Sequence, residues 1–187
     1  MIILRNLCVL LFVLIAGISS AVAQTANSEK IKIDFVSKQM GVPVEGSFGK
    51  AIASVNFDKA NAAASKAEIE IDLASIDTGS DEANTEVKRE GWFNVKKFPT
   101  AKFVSSAVKD MGNGRYEATG KLTIKGKTTD IMAPFQVKSG TSVAEGKFVI
   151  KRSQFGIGEG VWADPDTVAD EVEVKFKVPL VSAPVKK

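Results

Sequence analysis

Histidine is absent from the 187 residues, and cysteine occurs once, as Cys8. Cys8 lies in an N-terminal segment that reads as a removable leader, so the mature chain is expected to carry neither residue. That excludes Ser-His-Asp triads, Cys-His dyads, His or Cys zinc sites, disulfides and imidazole acid–base chemistry. An excess of one charge is also missing: 25 Lys and Arg face 22 Asp and Glu. Removing Arg5 with the leader leaves a net charge of +2, too little to argue for nucleic-acid or membrane-surface binding. Beyond the N-terminus no apolar run has membrane-spanning length, and there is no internal repeat or low-complexity stretch.

The leader has three parts. Arg5 supplies a positive charge, Leu7 to Ile18 form an apolar run, and Ala21-Val22-Ala23 precede Gln24. This is the pattern of a secretory signal peptide with an A-x-A cleavage site. The apolar run is shorter than the roughly 20 residues a membrane span needs. Cys8 sits mid-run and not at the cleavage site, so a lipidated N-terminal cysteine is not indicated. The expected organisation is a leader over 1–23, cleaved after Ala23, and one domain over 24–187 with no stable membrane insertion. Its 164 residues can bury a core without disulfide staples.

Within that domain, hydrophobicity alternates with period two. Ile69, Ile71 and Leu73 interleave with Glu68, Glu70 and Asp72; Val172, Val174, Phe176 and Val178 interleave with Glu171, Glu173, Lys175 and Lys177; Tyr116, Ala118, Leu122 and Ile124 interleave with charged and hydroxyl residues. Such strands have one dry and one wet face, the mark of antiparallel sheet. Weaker alternation occupies 29–36, 47–57, 101–109, 127–138 and 145–152. Met111-Gly112-Asn113-Gly114 and Lys125-Gly126-Lys127 read as tight hairpins. Pro134, inside one candidate strand, marks an edge or bulge. About eight strands at this spacing imply an all-β sandwich or barrel. Thr78-Gly79-Ser80-Asp81 reads as turn and N-cap, and Glu82 to Glu90 as a short surface helix stopped by Gly91. It leads into Trp92 and Phe93, which are placed to plug or cap a barrel end. Asn61 to Ser65 reads as a loop.

Candidates for chemistry are few. Glu159, Asp164, Asp166, Asp170 and Glu171 are hard-oxygen groups, but Asp164-Pro165-Asp166 lacks the EF-hand spacing, and a solvated loop is the simpler reading. Phe155 to Gly160 contains two G-x-G spacings without the G-x-G-x-x-G or P-loop pattern, so a glycine-kinked strand bend is expected there. Twelve Phe and Trp residues of the domain are spread over nearly every element. Composition favours a solid core; the alternative is a lined cavity, since an eight-stranded barrel is just wide enough to fill itself or to hold one small ligand. Small residues on one face, Gly49, Ala51 and Ala53 on one strand and Ala118 and Gly120 on another, leave space if they point inward.

Several segments occur in an order that resembles a known family. They are Gly41-Val42-Pro43-Val44-Glu45-Gly46-Ser47-Phe48, Ile76-Asp77-Thr78-Gly79, Trp92-Phe93-Asn94-Val95-Lys96-Lys97-Phe98-Pro99, Phe103-Val104-Ser105-Ser106, Gly120 to Gly126, and Arg152-Ser153-Gln154-Phe155-Gly156. Together they are similar to the YceI-like family of bacterial exported polyisoprenoid-binding proteins. The resemblance implies an extended, lipocalin-like, eight-stranded antiparallel β-barrel with a helical insert near 81–90. It implies a periplasmic carrier, store or sequestering protein for an isoprenoid or related lipid, an isoprenoid quinone included, with no catalysis and no cofactor beyond that ligand. Many members carry histidines where this chain has Gln39 and Lys125, so a metal-assisted role is not expected; Gln39 retains an amide able to bond a polar head group.

The expected lipid-binding residues are Phe35, Phe48, Phe103, Phe148 and Phe176 as wall, Trp92, Phe93 and Trp162 near a mouth or end cap, and Gln39. No catalytic or metal residue is assigned. Candidate partners are the apolar lipid, a membrane redox protein and a second copy of the chain. Two competing functions make distinct demands. A carboxylate enzyme acting on a lipid needs two acids converging on the cavity, one with a perturbed pKa. A module delivering a quinone to a membrane redox protein needs an exposed apolar patch beside the mouth.

Overall fold

Alternating side chains need a partner sheet face or a curl to bury their dry side, and this chain curls. The computed structural model describes residues 25–26 and 31–180. The expected leader over 1–23 and the cleavage expected after Ala23 lie outside the described residues. Eleven strands run β1 (Thr25–Ala26), β2 (Lys32–Gln39), β3 (Val42–Phe48), β4 (Ala51–Asn56), β5 (Lys66–Asp72), β6 (Ile76–Asp77), β7 (Thr100–Gly112), β8 (Arg115–Ile124), β9 (Lys127–Val137), β10 (Val143–Lys151) and β11 (Glu171–Pro179). One helix, α1 (Asp81–Val87), follows β6. The strands form one antiparallel sheet in the order β1-β4-β5-β7-β8-β9-β10-β11-β2-β3-β6.

This is the all-β, lipocalin-like architecture that the alternation and the family resemblance imply. Nine strands exceed two residues, against about eight expected. The alternation at 47–57 spans a corner: β3 ends at Phe48 and β4 begins at Ala51. A second chain segment bends with it. β5 pairs with β4, turns through a 3-10 turn at Leu73–Ser75, and continues as β6 against β3. Gly49 N donates to Ser75 O (3.0 Å), Asp72 N to Lys50 O (3.0 Å) and Lys50 N to Ser75 Oγ (3.0 Å). The two ends of the sheet are therefore tied at this corner.

Local chemistry explains the turns. Asn113 and Gly114 have φ of 55° and 72°, the two left-handed residues of a type I′ hairpin, and Lys125 and Gly126 repeat the geometry at 49° and 75°. Met40 and Gly41 make a third such turn between β2 and β3. Pro134 sits where a ladder stops: β9 pairs with β10 only through Phe135, Gln136 and Val137. Without an N–H, proline donates nothing to a ladder, and although β9 lies inside the sheet, its pairing with β10 stops there, so the edge expected at Pro134 is local to that side.

Helix α1 begins as expected. Ser80 Oγ accepts from Ala83 N (3.3 Å), and Asp81 and Glu82 occupy the positive first turn. Its end differs from expectation. The helix stops at Val87, and Gly91 is not its cap. Phe93 N reaches Val87 O and Val95 N reaches Lys88 O, with Asn94 in the left-handed region at φ 49°. Placing Trp92 and Phe93 in the barrel end draws the chain out of the helix early. Two further expectations are corrected. Arg152–Phe155 and Gly160–Trp162 form 3-10 turns with an irregular loop between them, not a kinked strand, and Arg152 gathers the carbonyls of Ile157 and Gly158 in that loop. Residues 62–64 form a 3-10 turn that buries Ala62, not a plain loop.

Candidate functional site

The inner face of the sheet is built in rows. Gly146, Phe176, Ile33 and Phe48 stand opposite one another across β10, β11, β2 and β3, and Phe148, Val174, Phe35 and Gly46 form the next row. In both rows a ring faces a glycine. A Cβ on Gly146 would lie 2.6 Å from Phe176 Cζ, and one on Gly46 would lie 2.8 Å from Phe35 Cε1. Gly120 has the same relation to Phe103, at 2.6 Å from Cε2. Each ring therefore lies down over bare backbone instead of standing across the lumen. The inward position of Gly120 leaves no void, since Phe103 fills it. Ala51 and Ala53 also point inward, whereas Gly49 is exposed and precedes the strand.

With the rings flat, the interior is not filled. Among the described residues only Phe155 and Leu73 are large side chains buried to below 2 % exposure. Phe35, Phe48, Phe103, Phe148, Val174 and Phe176 all face inward yet remain half-buried, because they border open space. A cavity of about 830 Å³ lies at the α1 end and a second of about 110 Å³ lies deeper. The larger is in the size range of drug-sized ligand sites. The solid core favoured by composition is thus corrected to a lined cavity.

The structure brings all nine expected residues to one or other chamber. Phe35, Gln39, Phe48, Trp92, Phe93 and Trp162 line the large one, Phe103 and Phe176 the deep one, and Phe148 both. Trp92 and Trp162 pack at 5.7 Å between centroids, and Phe93 meets Phe48 edge-on at 6.1 Å. Polar groups gather at one end. Ser37, Gln39, Thr78 and the α1 residues Asp81, Glu82, Thr85 and Glu86 line the mouth. Trp162 Nε1 donates to Glu86 Oε1 (3.1 Å), while Glu86 Oε2 pairs with Arg89 Nη1 (2.9 Å). Glu82 is held below the usual carboxylate range by its own backbone N–H and then by the Ser80 hydroxyl.

One residue of the site escaped the sequence reading. Arg152 is 4 % exposed and lines the large cavity. Its guanidinium donates to five main-chain carbonyls, of Ile157 (2.8 Å), Gly158 (2.8 Å), Trp162 (2.7 Å), Val168 (2.6 Å) and Ala169 (3.1 Å). It shapes the segment that carries Trp162. The acidic residues nearby are used singly. Glu159 pairs with Lys125 (3.0 Å), which holds it below its usual range, and Lys125 also reaches Gly156 O (2.5 Å). Asp170 accepts from Ser153 N (2.9 Å) and Asp164 from Asp166 N (2.9 Å). Among the described residues no group of three or more His, Cys, Asp or Glu is arranged to hold a metal. No helix there is long and apolar enough to cross a membrane.

The family model of the YceI-like domain matches residues 24–180. A UPF0312 protein of Vibrio cholerae is 33 % identical over 101 residues, 54 % of this chain and 53 % of that protein. A Photorhabdus laumondii UPF0312 protein is 37 % identical over 87 residues, 46 % of this chain and 45 % of that protein. The chain thus spans about half the length of the curated relatives it matches. The crystal structure of BcnA from Burkholderia cenocepacia superposes with a TM-score of 0.77 at 45 % identity, covering 81 % of this chain and 97 % of BcnA. A polyisoprenoid binding domain from Saccharophagus degradans shares the fold, with a TM-score of 0.63 at 18 % identity over 83 % of this chain and 95 % of that domain.

Proposed function

Since this chain belongs to the YceI-like domain family, we propose that it is an exported binding protein that holds a long isoprenoid-type lipid, an isoprenoid quinone among the candidates, for transport, storage or sequestration. One observation carries the reading: the Phe35, Phe103 and Phe176 rings lie over glycines and, with the other inward apolar side chains, border open space, with the polar groups collected at one end. A lipid with an apolar tail and a polar end matches that division. The nine expected residues, from Gln39 and Trp162 at the mouth to Phe103 and Phe176 in depth, are its contacts in this reading. Burying a tail stabilises the complex by roughly 0.8 kcal/mol per CH₂ group, offset in part by ordering the chain. The description of the Saccharophagus degradans domain as polyisoprenoid binding supports the ligand class. The leader over 1–23 supports export to the periplasm. Organic extraction of protein purified from its native periplasm, followed by mass spectrometry, tests the proposal. Recovery of an isoprenoid lipid is expected, and repeatedly empty protein with a collapsed interior overturns it.

A delivery role at a membrane redox protein is favoured by a separate observation. Met40 is 78 % exposed on the turn after Gln39, and Val161 is 85 % exposed beside Trp162. Both adjoin residues of the mouth and give it an apolar rim. Transfer of a bound quinone to membrane vesicles that depends on Met40 and Val161 is the expected behaviour.

A further inference from the structure

The two chambers are not independent. Ile33, Ile71, Leu122, Phe148 and Val174 line both, so these five side chains form the partition between them. They come from β2, β5, β8, β10 and β11, which places them as a ring around the curled sheet. On the mouth side lies the 830 Å³ chamber with its polar end. On the far side lies the 110 Å³ chamber, lined by Phe57 and Phe135, which pack with each other and with Tyr116 at 5.1 to 6.1 Å between centroids.

Phe148 is the sole aromatic of the ring. It stands opposite Val174 on β11 and is half-buried, and its ring centroid lies 6.2 Å from Phe176, which faces only the far chamber. The other four members are aliphatic and shorter. Unlike Phe35, Phe148 has no directly opposed glycine over which to lie down.

We propose that Phe148 determines ligand length: it is the stop against which the end of a tail rests, and a longer tail enters the far chamber only by displacing its ring. This rests on the lipid-binding reading and adds to it a selectivity among chains of one chemistry. Replacing Phe148 by a small residue joins the chambers, and a bulkier ring seals the far one.

The experiment measures dissociation constants of the exported protein for farnesol, geranylgeraniol and solanesol by native mass spectrometry, with thermal unfolding of each variant as the check on folding. Phe148→Ala is expected to improve the preference for solanesol over geranylgeraniol by about tenfold, the equivalent of burying a few more methylene groups. Phe148→Leu is expected to shift it in the same direction by less. Phe148→Trp is expected to weaken solanesol by about tenfold relative to farnesol. If Phe148→Ala does not fold, Leu and Trp carry the comparison. Binding of all three alcohols with an unaltered preference in the folded variants overturns the role of Phe148. Failure of the unsubstituted protein to bind any of them overturns the lipid-binding reading.

Discussion

Trp162 and Glu86 are joined by one hydrogen bond, 3.1 Å from the indole Nε1 to the carboxylate, across the mouth of the large cavity. Glu86 belongs to α1 and Trp162 to the 3-10 turn Gly160–Trp162, segments 76 residues apart in the chain. Glu86→Ala removes the acceptor and also frees Arg89. A stability loss of about 1 kcal/mol is expected, the net worth of such a bond. Release of a bound fluorescent prenyl lipid to vesicles should accelerate, and Glu86→Gln, which keeps an acceptor oxygen, should release near the original rate. Equal release rates for all three proteins would show that this contact does not retain the lipid.

Arg152 presents a different dependence, because five carbonyls lose a donor when it is removed. Arg152→Met is expected to cost at least about 3 kcal/mol in urea unfolding, since buried acceptors left without partners cost roughly 1–3 kcal/mol each. Arg152→Lys should recover less than half of that loss. An ammonium offers three donors and no planar fork, so it satisfies at most three of the five.

The glycine–ring pairs make a steric prediction. Gly146→Ala places a methyl against Phe176 and against the Pro134 carbonyl. Overpacking of this kind costs about 1–3 kcal/mol, readable as a lower melting temperature. Phe176→Leu should cost less in the Gly146→Ala background than alone, so the double-mutant cycle should show coupling. Simple additivity would mean that the ring does not lie over Gly146 in solution.

The pH dependence follows from an absence. With no histidine in the chain, no side chain has its ordinary pKa between about 5 and 8. Stability should be flat across that interval. The carboxylates Glu145, Glu159 and Glu173 are all held below their ordinary value of 4.5, each chiefly by a lysine: Lys177, Lys125 and Lys147 respectively. A carboxylate lowered on folding stabilises the fold above its unfolded pKa, and that contribution disappears as pH falls through the folded value. Melting temperature should therefore decline only below about pH 4.5. A step near pH 6.5 would contradict this account.

Much of this architecture was legible before any coordinates. β5, β8 and β11 each have a dry and a wet face, and period two reports that directly. β3 is hidden from the periodicity, because Pro43 and Gly46 interrupt its hydrophobic pattern; Gly46 is small to admit the Phe35 ring, a reason located on the neighbouring strand. The early end of α1 was hidden for a similar reason, since the competing force is the placement of Trp92 and Phe93 at a site formed by distant strands. The aromatic lining was legible as a set of residues. Its arrangement around open space was not, because periodicity gives a face but neither its direction nor the width of what it faces. Arg152 stands in a segment that carries the family resemblance, but its role is hidden, as its five partners lie 5 to 17 residues further on and only the fold gathers them.

The short ladder between β9 and β10 has a mechanical consequence. A barrel wall stitched by continuous hydrogen bonds resists swelling, because dilation must tear the stitches. Here the two strands share three residue pairs and part company at Pro134. Below that point the wall has a placket rather than a seam. It is the direction in which this wall can widen without unpicking its own ladder.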